Sequence, residues 1–359
     1  QKAEFLIPSI EKSAQVFSQE VRLNSDLNGP LAWTLGFFYS DIERQESWSE
    51  LASLRIGPVG PPLVSFPLAD ENIDSESIAY FGDISYAITD HLTVGIGTRF
   101  FEDRRNFEKG GVKLPEAEFD KLSSKVYVSF SLNDDATIYT SVSEGFRSGG
   151  HNALGSTAPT YKPEELINYE MGIKTVLFDK RFYAELAFFY SDYSDYQTDT
   201  QDLTVTPPTG ATLNAGAAEI KGLEWHFQWA ATQHLSLGFS GSITDAEVSD
   251  VDITPAAILE GDPVPFVPEN SYSLNANYRF DWLNSTPGFI RLDYNHQGKN
   301  SYSDRLGGFT PELIHTKSFS LINLNIGAQW EMLGVSLYGR NLFDEDQPVM
   351  RVIGGQSPQ

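Results

Sequence analysis

The sequence predicts an all-β chain, a transmembrane antiparallel up-and-down β-barrel with about 14 strands visible. Three observations carry this. Apolar and polar residues alternate in runs of roughly 10 to 18 residues, whereas soluble strands are nearer 5 or 6. The connections between runs alternate strictly between short and long. Aromatics make up 13% of residues, with 24 Phe and 16 Tyr, while mean hydropathy is only -0.28.

The runs separate two faces. From Lys221 to Ala231, Leu223, Trp225, Phe227 and Trp229 oppose Gly222, Glu224, His226 and Gln228. From Leu235 to Thr244, Leu235, Leu237, Phe239 and Ile243 oppose Ser236, Gly238, Ser240, Ser242 and Thr244. Ser271 to Phe280 and Ile322 to Trp330 repeat the pattern. The polar face is rich in Ser, Asn, Gly and Gln, which suits a wet lumen or a polar filling better than a dry core.

Short turns fall near Asn24 to Gly29, Thr89 to His91, Asn133 to Asp135, Asp179 to Lys180, Thr232 to His234, Asn284 to Gly288 and Glu331 to Gly334. Long connections span Ser47 to Ile73, Arg104 to Asp120, Arg147 to Pro163, Asp195 to Thr212, Ala246 to Pro268 and Gly298 to His315. Tight periplasmic turns and extended external loops produce this alternation. A soluble sandwich has shorter strands and no reason for it. Trp282 and Trp330 beside short turns, and Tyr190 and Tyr193 beside a long one, are expected to form two interfacial girdles.

Composition narrows the function. No run reaches the roughly 20 apolar residues of a spanning helix; this does not exclude a membrane barrel, whose strands hide only one face in lipid. Cysteine is absent, removing disulfides, thiolate metal sites and a Cys nucleophile. A net charge of -24 repels nucleic acid and anionic headgroups. The six histidines show no two-His helical spacing, and Ser141 and Ser143 lack a nucleophile elbow. The expectation is no enzyme, no cofactor and no resident metal; Asp245 to Asp252 is acidic but lacks EF-hand spacing.

Several segments resemble the barrel domain of TonB-dependent outer-membrane receptors. They are Phe17-Ser18-Gln19-Glu20-Val21-Arg22-Leu23, Trp33 with Gly36-Phe37-Phe38-Tyr39, and the run Tyr139 to Asn152. Tyr161-Lys162-Pro163-Glu164, Asn168 to Lys174 and Arg340-Asn341-Leu342-Phe343-Asp344-Glu345 are also similar to family segments. The resemblance implies about 22 strands around a plug. On it, residues 1–359 are a partial barrel, about the eighth to the twenty-first strand, with the N-terminal plug, early strands and final strand not present.

The resemblance implies a receptor of the Gram-negative outer membrane, surrounded by its lipid. It would bind a scarce external ligand, an iron-siderophore complex foremost, and import it with energy from the TonB complex, reached through the missing N-terminal region. A passive porin-like channel and a soluble β-rich ligand-binding module are the alternatives. Loops on a rigid scaffold hold recognition residues. The aromatics Trp48, Phe66, Tyr161, Tyr193 and Tyr196 can stack on a planar ligand, and Arg104, Arg105 and Arg147 can pair with an anionic chelate. His151 follows Phe146-Arg147-Ser148-Gly149, where haem receptors of the family read Phe-Arg-Ala-Pro, and Gly149-Gly150 is expected to turn the backbone. Glu20, Arg22, Glu170, Lys174, Glu224, Arg279, Arg291 and Arg340 are expected to face the lumen, and a plug if one is there.

Overall fold

A computed structural model describes residues 3–6, 10–25, 29–48, 52–56, 64–66, 70–202, 209–251, 258–282, 286–303 and 313–346. Strands dominate, and no helix occurs among the described residues. Fourteen long strands form the wall: β1 (Ile10–Asn24), β2 (Leu31–Trp48), β3 (Glu71–Ala87), β4 (Leu92–Lys109), β5 (Ala117–Asn133), β6 (Ala136–Arg147) and β7 (Glu164–Leu177) make its first half. Its second half is β8 (Phe182–Ser194), β9 (Gly216–Ala230), β10 (Leu235–Val251), β11 (Asn270–Trp282), β12 (Thr286–Gln297), β13 (Phe319–Gln329) and β14 (Gly334–Gly339). Each strand pairs antiparallel with the next in chain order, as an up-and-down barrel requires. No ladder among the described residues joins β14 to β1.

Ladder register sets the two faces. One outward row runs Val21, Phe37, Tyr80, Phe100, Leu122 across five strands. Another runs Ile84, Ile96, Val126, Val142, Tyr169, Tyr190 across six. Apart from half-buried Tyr190, these side chains lie open on the surface, which is stable only where hydrocarbon replaces water. Inward rows read differently: Arg22, Gly36, Phe81, Arg99, Ser123 is one, and His226, Ser240, Ser273, Asn295 another. Gly36 is required where it stands, since a Cβ there would strike the ring of Phe81 on the neighbouring strand. Trp282, Trp330 and Tyr190 share the outward parity of a girdle; Tyr193 falls on the inward face opposite Leu166.

Several strands run on into the segments that the alternation assigns to long connections. β4 continues past Arg104 to Lys109, β3 begins at Glu71, and β10 passes Ala246 to reach Val251. Eighteen residues in β4 extend about 60 Å at about 3.3 Å each, well beyond an apolar band of about 25 Å even when tilted. The cause is physical. An apolar stripe is needed only in lipid; above it Asp103-Arg104-Arg105-Asn106 is polar on both faces while backbone pairing with β3 continues. The loop Arg104 to Asp120 is therefore mostly ladder, closed by a short hairpin at Val112–Lys113.

Two neighbours on β11 test the face assignment. Leu274 is outward, opposite Phe239 and Tyr294, and Asn275 is inward, opposite Gly238 and Asp293. Leu274→Lys is expected to destabilise the barrel by about 2–4 kcal/mol, read as a lowered midpoint for heat-dependent gel mobility, and Asn275→Lys by about 0–1 kcal/mol.

Candidate functional site

Above the apolar band, β4 presents Asp103, Arg105, Phe107 and Lys109 inward, one at every second position. Asp103 is 1% exposed. A carboxylate so buried must be paired and hydrogen-bonded to stay charged. The register supplies the partners: Ser77 stands opposite Asp103 and Ser75 opposite Arg105. Ser75 and Ser77 hydroxyls donate to its Oδ1 at 2.7 and 3.2 Å, while Arg105 Nε and the Ser148 hydroxyl donate to Oδ2 at 2.6 and 2.8 Å.

Ser148 belongs to the connection that leaves β6, so this carboxylate draws that connection back over the inner wall. Arg105 Nη1 donates to the Gly149 carbonyl at 3.3 Å, and Lys109 Nζ to that of His151 at 2.9 Å while pairing with Glu71 at 3.1 Å. His151 Nε2 donates to the Pro115 carbonyl at 3.0 Å, and its ring meets Phe107 edge-on at 4.9 Å. Gly149 and Gly150 do not take left-handed φ, and Gly150 opens a short antiparallel pair with Tyr161 instead of a turn. They permit contact, because a Cβ on Gly149 would meet the Tyr161 carbonyl and one on Gly150 the Tyr161 hydroxyl.

A second knot ties this connection to its neighbour between β8 and β9. Glu164, also buried, accepts from Arg147 at 3.0 Å and from the Gln197 backbone N–H at 2.6 Å. Gln197 Nε2 donates to the Lys162 and Ser148 carbonyls at 2.9 and 3.1 Å. Asn152 bridges to the hairpin formed by Gln197–Asp202 and Thr209–Asn214, donating to Thr212 O at 2.8 Å and accepting from Thr212 N at 2.7 Å. Under the hairpin Tyr196 packs on Ala215, Val248 and Ile258, an apolar cluster outside the membrane band. Burial, reinforced by the charge of Glu164, pushes the Tyr196 phenol up to about 12, and burial raises Tyr161 as well.

Of the nine candidate ligand residues, six gather at this mouth: Arg105, Arg147, His151, Tyr161, Tyr193 and Tyr196. Four of them hold the loops through the contacts above, and the Tyr193 ring meets Tyr196 at 6.3 Å. Arg104 stands apart, on the outward face with Glu102 and Glu118 at 3.2 and 3.3 Å. The backbone of Trp48 pairs with Ile10 and that of Phe66 with Ala52, and both side chains lie outside the described residues. The register turns Glu20, Arg22, Glu170, Lys174, Glu224, Arg279 and Arg291 inward. Arg340, just past β14, packs its guanidinium over inward Tyr338 at 5.4 Å. Lys174 pairs with Glu185 at 2.8 Å and Arg291 with Asp293 at 2.9 Å.

Sequence reasoning assigned no site role to Asp103 or Gln197, nor to Ser148, Asn152 and Glu164, which entered only as parts of family-like segments. Parity counted up β4 from Arg99 would have placed Asp103 inward; nothing periodic marks Asn152 or Gln197. A groove of 540 Å³ lies elsewhere, lined by outward residues such as Gln15, Glu43, Asp74 and Asn106. No group of three metal-ligating side chains occurs among the described residues.

Removing the Asp103 carboxylate leaves the Arg105 Nε–H and three hydroxyls without this acceptor. Asp103→Ala is expected to free the 148–163 connection, seen as faster protease cleavage there, at a cost of about 1–3 kcal/mol. The Tyr196 shift has a definite sign. A folded-state phenol pKa above 10.0 favours the neutral form, so its contribution is whole below pH 10.0 and is lost as pH rises toward about 12. Ultraviolet titration of tyrosinate should show a late step that Tyr196→Phe removes.

A family model described as TonB dependent receptor-like, beta-barrel matches residues 8–342. The pesticin receptor of Yersinia pestis is 25% identical over 355 residues, covering 94% of this chain and 49% of that protein. The crystal structure of the ferric yersiniabactin uptake receptor FyuA from Yersinia pestis superimposes with a TM-score of 0.75 at 21% identity, over 97% of this chain and 52% of that one. The ferripyoverdine receptor of the outer membrane of Pseudomonas aeruginosa, bound to ferripyoverdine, gives 0.67 at 16% identity, over 97% and 46%. The chain thus spans about half the length of the curated relatives it matches. With the alternating wall and the external loops folded over its mouth, the chain belongs to the TonB-dependent receptor-like β-barrel family, receptors of the Gram-negative outer membrane.

Proposed function

We propose that this chain forms the barrel of a receptor that captures an iron-siderophore complex at its outer mouth and imports it with energy from the TonB complex. The observation that carries the reading is the family match over residues 8–342, which is supported by relatives named for ferric ligands. The mouth fits this reading. Two neighbouring external connections are locked to each other and to the wall through Asp103 and Glu164, so aromatic and basic side chains are held at fixed positions before any ligand arrives. Holding recognition groups in place lowers the ordering cost of binding.

On this reading, the strands are about the eighth to the twenty-first of 22 in the longer protein. The inward charges from Glu20 to Arg340 would face a plug through which the TonB complex acts. An unplugged barrel would instead be a passive channel lined by Ser, Asn and Gly.

Iron starvation and transport separate these outcomes. Expression is expected to rise when iron is withheld, and cells lacking the gene to lose uptake of one radioiron-loaded siderophore from a panel. A protonophore is expected to abolish that uptake. Uptake that persists with protonophore identifies a passive channel, and unchanged expression with unchanged uptake refutes iron import.

A further inference from the structure

The turn between β7 and β8 differs in its backbone from the other short turns among the described residues. Phe178, Asp179 and Lys180 take left-handed φ in succession, at 55°, 55° and 64°, and no other of these turns has a left-handed residue. The loop closes where the Arg181 N–H is shared between the Leu177 and Phe178 carbonyls at 3.1 and 3.2 Å. Glycine or asparagine adopts such a conformation at little cost, whereas Phe and Lys are strained in it. Bulky side chains kept on a strained backbone point to a use for those side chains.

Phe178 is 66% exposed, and its ring opens a line of rings along the outward face: 6.2 Å to Phe182, 6.1 Å on to Phe227 and 6.3 Å on to Phe239. Phe182 pairs with Trp229, on the parity that also carries outward Tyr190 and Lys221. The tip of this turn therefore meets lipid at the periplasmic edge of the wall. Lys180 and Arg181 follow at once, and both are exposed. They are the only Lys or Arg among the described residues of the short turns, which otherwise carry Asp90, Asp134, Asp135, Asp179 and Glu331. Those acids repel an anionic headgroup, and here two bases outweigh Asp179.

We propose that this turn is a binding site for an anionic phospholipid of the periplasmic leaflet. Phe178 enters the acyl boundary beside Phe182, while Lys180 and Arg181 take the phosphodiester, Arg181 through its planar fork and Lys180 as a point charge. The three left-handed residues hold ring and bases on one fixed tip, which lowers the ordering cost of binding. The site lies on the lipid side of the wall, separated from Glu164 at the mouth by the whole length of β7, and does not depend on what the receptor imports.

The test uses the full-length receptor, delipidated in detergent and titrated with phosphatidylglycerol or phosphatidylcholine of equal acyl length, bound lipid being counted by native mass spectrometry. The unaltered receptor is expected to bind one phosphatidylglycerol about tenfold more tightly than phosphatidylcholine. Lys180→Gln combined with Arg181→Gln is expected to remove that preference. Lys113→Gln combined with Lys299→Gln makes the same change of charge on the external connections and is expected to keep it. Phe178→Gly relaxes the backbone, so it should hold or raise the midpoint for heat-dependent gel mobility while weakening both lipids about threefold. The same gel assay confirms that each variant is folded, and Arg181→Gln alone replaces the double variant if that one is not. Equal binding of the two lipids by the unaltered receptor, a preference that survives loss of both bases, or a loss matched by the external pair would overturn the proposal. Displacement of phosphatidylglycerol by millimolar glycerol phosphate would overturn it too, by making this a site for a soluble anion. Unchanged lipid affinity in Phe178→Gly would do the same, leaving the turn a strained connection only.

Discussion

In hydrocarbon a peptide group without a hydrogen-bond partner costs several kcal/mol, and no water is present to supply one. The continuous ladder from β1 to β14 answers that constraint, and much else follows from it. Because pairing must be continuous, register is shared around the wall, and parity alone decides which side chains meet lipid. That is why Val21 and Leu122, about a hundred positions apart, lie on one outward row. It is also why a barrel with few buried apolar side chains can be stable: the medium outside takes the role that a core plays in a soluble protein.

The same ladder continues where lipid ends, and the candidate site is built there. A strand that stopped at the headgroups would have left the loops to organise themselves. Here β3 and β4 carry Glu71, Ser75, Ser77, Asp103, Arg105 and Lys109 upward on a paired backbone, and the connection at Ser148 to His151 closes onto them. The buried carboxylates do the fastening. Each is costly to desolvate and recovers that cost only with several donors in place, so Asp103 and Glu164 favour a single loop arrangement over many.

How much of this could be read from the residues follows from what produces periodicity. Strand number, short and long connections and the inward face of Glu224 or Arg279 were legible, because lipid on one side and water on the other impose period two. Strand ends were not. Asp103 to Lys109 is polar on both faces, so the alternation stops although the ladder does not. Gly149-Gly150 suggested a turn, and the structure uses the pair for close approach to Tyr161, a contact between loops that no local pattern encodes. Arg104 and Arg105 looked equivalent as neighbours in sequence. One step along a strand separates them onto opposite faces, Arg105 at the mouth and Arg104 outside.

That one-residue step also organises the inner wall by depth. Reading β4 upward, the inward positions are Arg99, Phe101, Asp103, Arg105, Phe107 and Lys109. Cations recur along this column, but their partners change. At the top, Lys109 and Arg105 are neutralised by Glu71 and Asp103 and serve the loops. Lower down, Arg99 lies against rings and has no carboxylate partner among the described residues. Ion pairs at the rim fix the architecture, since a paired charge has little left to offer a visitor. Arg99 lies deeper, against three rings rather than beside a carboxylate. Along one strand the partners of the inward cations thus change from carboxylates at the rim to rings below, set by which residues the shared register brings alongside.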